Sequence, residues 1–179
     1  MQLKSAVRAA LFAAMATISL GCAAQQPATP PANPMDVVPD KMPNDFPYGT
    51  PISLDQAQAA INAAVAETKK RGWKLNVAVV DSGANLVAFV RMDGAQLGSI
   101  AIAEHKARAA AKFRRETKAF EAGIQGGNNY LITLDDVIGS RGGIPLMDGG
   151  KIIGAIGCSG GTGSQDEVGC KAGAAAVNK

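Results

Sequence analysis

The sequence predicts an α/β domain of three layers, in which a mainly antiparallel sheet of five strands carries helices on both faces. Three observations point there. Two pairs of β-branched apolar runs, residues 75–80 with 86–91 and 144–147 with 151–158, are each joined by a loop too short for anything but antiparallel pairing. Stretches with helical apolar spacing precede, separate and follow these pairs. Finally, 47% of the chain is hydrophobic but only 4% is aromatic, so the core is built from Ala, Val, Ile and Leu.

The chain opens with Lys4 and Arg8 ahead of an apolar run over residues 9–20. That run falls short of the roughly 20 residues a membrane span requires, and with small residues after it the segment 1–21 has the form of a secretory signal peptide. Cys22 follows Gly21 directly, as in lipoprotein processing, where the thiol is acylated and becomes the mature N-terminus. Ser19 stands where a lipobox prefers leucine, and cleavage after Ala24 is the alternative. Residues 22–51 are rich in proline, alanine, asparagine and glutamine and form a linker. The chain is thus expected to be exported to the periplasm or cell envelope, with Cys22 as the candidate membrane anchor.

Residues 52–179 make one domain with a single core. Lys4 and Arg8 leave with the leader, so the net charge falls from +3 to +1, which argues against nucleic acid as a partner.

Within the domain, residues 53–71 begin with Ser-Leu-Asp-Gln and space Leu54, Ala57, Ile61, Ala64, Val65 and Thr68 as an amphipathic helix with a basic end. Two strands follow, joined through Asp81 to Asn85, and residues 92–95 form the exit turn. Residues 96–115 are a long helix with Ala101, Ala103, Ala107, Ala110 and Ala111 permitting close packing, and residues 117–126 begin another. Residues 130–134 are expected to be a strand and 137–140 the start of one more. Asp148, Gly149 and Gly150 supply the hairpin turn between the last two strands. After Cys158 the SGGTG turn leads into a final helix, for which Ser164 and Glu167 have capping-box spacing.

Several residues invite chemistry. Strand, glycine turn and helix N-terminus together can present backbone N–H groups to an anion, which makes Gly160, Gly161 and Thr162 candidates for a carboxylate or phosphate. A close-packing connector is the plainer reading. Lys106, Arg108, Lys112, Arg114, Arg115 and Lys118 form the one basic concentration, either a solvated face or a receptor for carboxylates. His105 is the sole histidine, so no Ser-His-Asp triad or multi-His zinc site can be assembled without it. It shares a helix face with Gly98, Ala101, Ile102 and Ala109, an environment for a packed or interface histidine or for a metal ligand; Met92 and Met147 are softer ligand candidates, each more simply read as core. Cys158 and Cys170 are spaced either for a structural disulfide or for two buried thiols, and the odd cysteine, Cys22, fits acylation.

Two runs, GGIPLMDGGKIIGAIGCSGGTGSQDE from Gly142 and VAVVDSGANLVAFVRMDGAQLGSIAIAEHKARAAAKFRRETKAF from Val77, resemble the GlcG/HbpS family of haem-binding, sometimes called haem-degrading, domains. The likeness extends from about Ile52 to the end. It fits a profilin-like or PAS-like fold and implies haem as cofactor and a homo-oligomer, a dimer or an octamer assembled from dimers. The expected binding residues are His105, as metal ligand, with Lys106, Arg91, Asp93, Arg141, Gly142, Gly143, Gly160, Gly161 and Thr162. They are expected to gather in a groove between the long helix and the strands from Arg141 onward. An exported haem-binding or haem-sensing protein is the leading expectation. A binding module or enzyme for a small carboxylate or diol metabolite is the alternative, with Asp93, Glu104, His105 and Asp166 as acid or base groups whose spacing does not by itself demand catalysis.

Overall fold

The computed structural model describes residues 37–179. The leader, Cys22 and the first half of the proline-rich segment lie outside the described residues. In the unit formed by residues 41–179, the elements follow as α1 (Leu54–Lys70), β1 (Asn76–Asp81), β2 (Leu86–Arg91), α2 (Ser99–Lys112), α3 (Lys118–Gln125), β3 (Gly143–Asp148), β4 (Lys151–Ser159) and α4 (Gly163–Ala175).

The sheet has four strands in the order β2-β1-β4-β3, and every pair is antiparallel. The expected fifth strand is absent among the described residues. Residues Asn129–Thr133 instead form a 3-10 turn, with the Thr133 hydroxyl donating to the Tyr130 carbonyl at 2.7 Å. A physical reason lies at the sheet edge. Beside β3, the Thr117 N–H donates to the Gly143 carbonyl and the Thr117 hydroxyl accepts from the Gly143 N–H. At the other end of the strand, Asn178 accepts from the Met147 N–H. Pro145 between them has no N–H to offer. Apolar, β-prone residues at 130–134 therefore find no ladder to join there, and local pairing wins.

Strand alternation sends the two sides of β1 into different cores. Val77 and Val79 join Ala57, Ala60, Ile61 and Ala64 of α1 and Cys170 and Ala174 of α4, while Ala78 and Val80 meet Ala103, Ala107, Ala110 and Ala111 of α2. The result is the expected three layers, α1 and α4, then sheet, then α2. The alanine face of α2 lies almost on the sheet. A β-carbon added at Gly157 would collide with the Ala103 carbonyl, and one at Gly143 with the Lys106 carbonyl. Glycine at these two strand positions is what allows helix backbone to touch strand backbone.

Local signals account for most boundaries. The Ser53 and Gln56 side chains exchange bonds with each other's backbone N–H in a capping box that starts α1. The box of α4 is Thr162 with Gln165, two residues earlier than the expected Ser164 and Glu167, and the Glu167 carboxylate is engaged by Lys118, Arg141 and Lys171 instead. At the β3–β4 hairpin Gly149 and Gly150 adopt φ of 53° and 75°, which glycine takes without steric cost. The end of the proline-rich segment runs along the start of β4: the Pro47 carbonyl accepts from the Ile152 N–H at 2.9 Å, and the Gly49 and Ile52 N–H groups donate to Ile152 and Ile153 at 2.8 Å. Cys158 and Cys170 are joined as a disulfide, with a Cα–Cα separation of 5.6 Å that ties β4 to α4.

Candidate functional site

The charged centre of the domain lies where β4 ends, β3 begins and α4 takes its first turn. Lys106 sits at helical spacing from Ala103 and Ala110, and so is carried into the α2–sheet interface with its neighbours. Its ammonium meets Asp166 of α4 at 2.8 Å, and the two side chains are 1% and 3% exposed. The other oxygen of Asp166 accepts the Gly161 N–H at 3.0 Å. Gly142, at φ 115°, passes so close to this pair that an added β-carbon would lie 3.3 Å from the Lys106 Nζ and 2.9 Å from the Asp166 Cβ.

A second, wetter network surrounds the first. The Arg141 guanidinium forks onto Glu121 of α3 at 2.6 and 2.9 Å and reaches Glu167 at 3.4 Å. The Arg141 N–H also donates to Glu121, at 2.8 Å. That bonding by Arg141 holds the Glu121 carboxyl below the usual carboxylate range. Burial works against ionisation of Glu167, but Lys171 and Lys118 outweigh it and hold that carboxyl low as well.

The glycine turn therefore holds an anion already, and it is the chain's own. The Asp166 carboxylate takes the Gly161 N–H, and the Thr162 N–H and hydroxyl are used with Gln165 in the cap. Lys106 and Arg141 likewise meet internal carboxylates. The space between α2 and the strands, expected to be a groove, is filled by backbone contact at Gly143 and Gly157. Arg91 and Asp93 stand exposed at the end of β2, where they line a shallow pocket of about 280 Å³ with Val65 and Lys69. Met92 is a core residue whose sulfur accepts from the Thr68 hydroxyl and the Leu75 N–H at 3.4 Å.

His105 lies apart from that centre, half-buried on α2 with Ala101 and Ile102 at i−4 and i−3, both exposed. Its Nε2 is shielded from solvent and has no hydrogen-bond partner among the described residues. An unpartnered imidazole nitrogen beside exposed apolar side chains is the donor type an axial haem ligand supplies, and iron would reach it once the ring turns from its shielded position. Among the described residues, no three His, Cys, Asp or Glu side chains are grouped to hold a bare metal ion.

Sequence reasoning missed the partners Glu121, Asp166 and Glu167 in their structural roles, because Lys106 and Arg141 lie 20 to 60 residues along the chain from the carboxylates they meet. One signal was available: Lys106 falls on the alanine face that packs on the sheet, so a carboxylate had to be waiting for it.

The family model described as "Haem degrading protein HbpS-like" matches residues 52–175. The protein GlcG of Escherichia coli strain K12 is 40% identical over 108 residues, which is 60% of this chain and 81% of that protein. The crystal structure of HbpS superposes with a TM-score of 0.69 at 29% identity, covering 78% of this chain and 99% of that one. The haem complex of PduOC does so with a TM-score of 0.66 at 26% identity, covering 72% and 96%. With the family model spanning nearly the whole globular domain, the chain belongs to the HbpS-like family.

Proposed function

We propose that this protein binds haem and that His105 supplies the axial nitrogen. The observation that carries this reading is the shielded, unpartnered Nε2 of the sole histidine. It gains support from a family described as haem-degrading and from the fold shared with PduOC, which was solved with haem. A buried ring nitrogen without a partner is costly to keep unless something else uses it. Exposed Ala101 and Ile102 beside it, and Leu97 one turn earlier, offer the apolar surface that a porphyrin face requires. When bound, haem would supply an iron centre whose character depends on that axial ligand.

Titration with haemin, followed by absorption, tests the reading. The parent protein is expected to give a saturable Soret band. His105→Ala should shift the band and weaken binding at least tenfold, the loss of about 1.4 kcal/mol or more. A variant with the parental band and affinity would remove His105 from the site.

We also infer that the chain is exported and held at the cell envelope through Cys22. The supporting features are the basic and apolar leader, Gly21-Cys22 and the proline-rich spacer after it. Expressed with its leader, the parent should fractionate with membranes, and Cys22→Ala should move to the soluble envelope fraction. Unchanged membrane association of the variant, or a cytosolic parent, counts against the reading.

A further inference from the structure

The six cations that stand together in the sequence do not stand alike in the structure. Lys106 meets Asp166, Arg108 meets Glu104, Lys112 meets Asp136, Arg114 meets Asp45 and Lys118 meets Glu167. Arg115 has no carboxylate partner among the described residues. Its Nε donates to the Phe113 carbonyl at 3.2 Å, and its guanidinium lies over the Phe120 ring at 5.6 Å, so the group is held in place with its terminal amino groups unused by any carboxylate. Such a fork is already oriented for an external anion.

Arg115 lines a cavity of about 430 Å³ beside β3, within the ordinary size of ligand sites. Its apolar wall includes Phe46, Ile144, Pro145 and Met147. Arg114, at φ 54°, diverges from its neighbour and grips the Phe46 carbonyl at 3.1 Å, which fixes that wall. Two carboxylates stand near. Asp45 is matched by Arg114, and Glu116 also lines the cavity, with no ion-pair partner among the described residues. Arg115 is the guanidinium of that lining whose terminal amino groups no carboxylate meets among the described residues.

The backbone tells what kind of ligand can enter. Gly143 and Met147 spend their outward N–H groups on Thr117 and Asn178, and Pro145 has none, so the β3 edge cannot pair with an incoming peptide strand. A small molecule with its own charge and an apolar body is the occupant that remains. We propose that the cavity bounded by β3, Phe46 and Arg115 binds a small organic monocarboxylate, with Arg115 on the carboxylate and the apolar wall on its body. This site is distinct from His105 and independent of haem.

Calorimetric or NMR titration with benzoate as probe, and benzamide as its neutral isostere, tests the proposal. Benzoate is expected to bind saturably, and benzamide about tenfold or more weakly, as loss of a charge-assisted bond implies. Arg115→Gln should bring benzoate down to the level of benzamide. Ala119→Phe, at an exposed position of α3 on the cavity wall, should fill the space and abolish binding while leaving the melting temperature near that of the parent. His105→Ala and prior loading with haemin should leave benzoate binding unchanged. The proposal is overturned if benzoate does not saturate in the millimolar range or binds no better than benzamide. It is equally overturned if binding survives Ala119→Phe or is lost in His105→Ala.

Discussion

Lys106→Met is expected to destabilise the domain by about 3 to 5 kcal/mol in urea denaturation, because removing one member of a buried ion pair strands the other. The stranded group is the Asp166 carboxylate, 3% exposed, left with the Gly161 N–H as its remaining bond. Methionine keeps most of the lysine's length and fills the same channel past Gly142, so the loss reports charge rather than a cavity. The double variant Lys106→Met with Asp166→Asn should recover a large part of the loss, since a neutral amide can still accept the Gly161 N–H through its oxygen. A single variant within about 1 kcal/mol of the parent, the range of exposed pairs, would mean that this pair behaves as a surface one. The pair joins α2 on one face of the sheet to α4 on the other, which no apolar contact in either core does. Its loss should therefore loosen the glycine turn first, seen as faster amide exchange at Gly160 and Gly161.

How much of this could be read from the sequence depends on the range of the interactions involved. The capping box at Ser53, the glycines of the β3–β4 hairpin, the short β1–β2 loop and the alanine face of α2 are all set within a few residues. Each was legible, and the three layers follow from them. The fifth strand failed for a tertiary reason. Residues 130–134 have strand-forming side chains, but the edge beside β3 is already closed by Thr117 and Asn178. The basic concentration was legible as charge and illegible as function, because the carboxylates that meet Lys106 and Arg141 lie 60 and 20 residues along the chain. Arg115 looks like its neighbours in the sequence and differs from them only in what the fold fails to place beside it. His105 could be singled out as the sole histidine, but that its Nε2 is shielded and unpartnered is a property of packing.

Loss of the Cys158–Cys170 bridge is expected to cost about 2 to 4 kcal/mol, the usual range for a disulfide closing a loop of this size. Cys158 closes β4 and Cys170 lies within α4, and both are fully buried among the residues that pack α1 and α4 on the sheet. The bridge therefore fixes the helix whose first turn carries Asp166 and Glu167, and with it both charged networks. Because the sulfurs are buried, reductant should act slowly on the folded protein and quickly once denaturant opens it. In a Cys22→Ala background, protein from an oxidising compartment should show no free thiol when unfolded without reductant, and two after reduction. Two alkylated cysteines in the unreduced, unfolded sample would show that the bridge does not form. Cys158→Ala with Cys170→Ala should lower the urea midpoint and raise the slope slightly, since the native contacts persist while the unfolded chain, freed of the bridge, exposes more surface. Alanine at both positions is the informative choice, because a single alanine leaves an unpaired thiol free to exchange with other chains and confuses lost stability with aggregation.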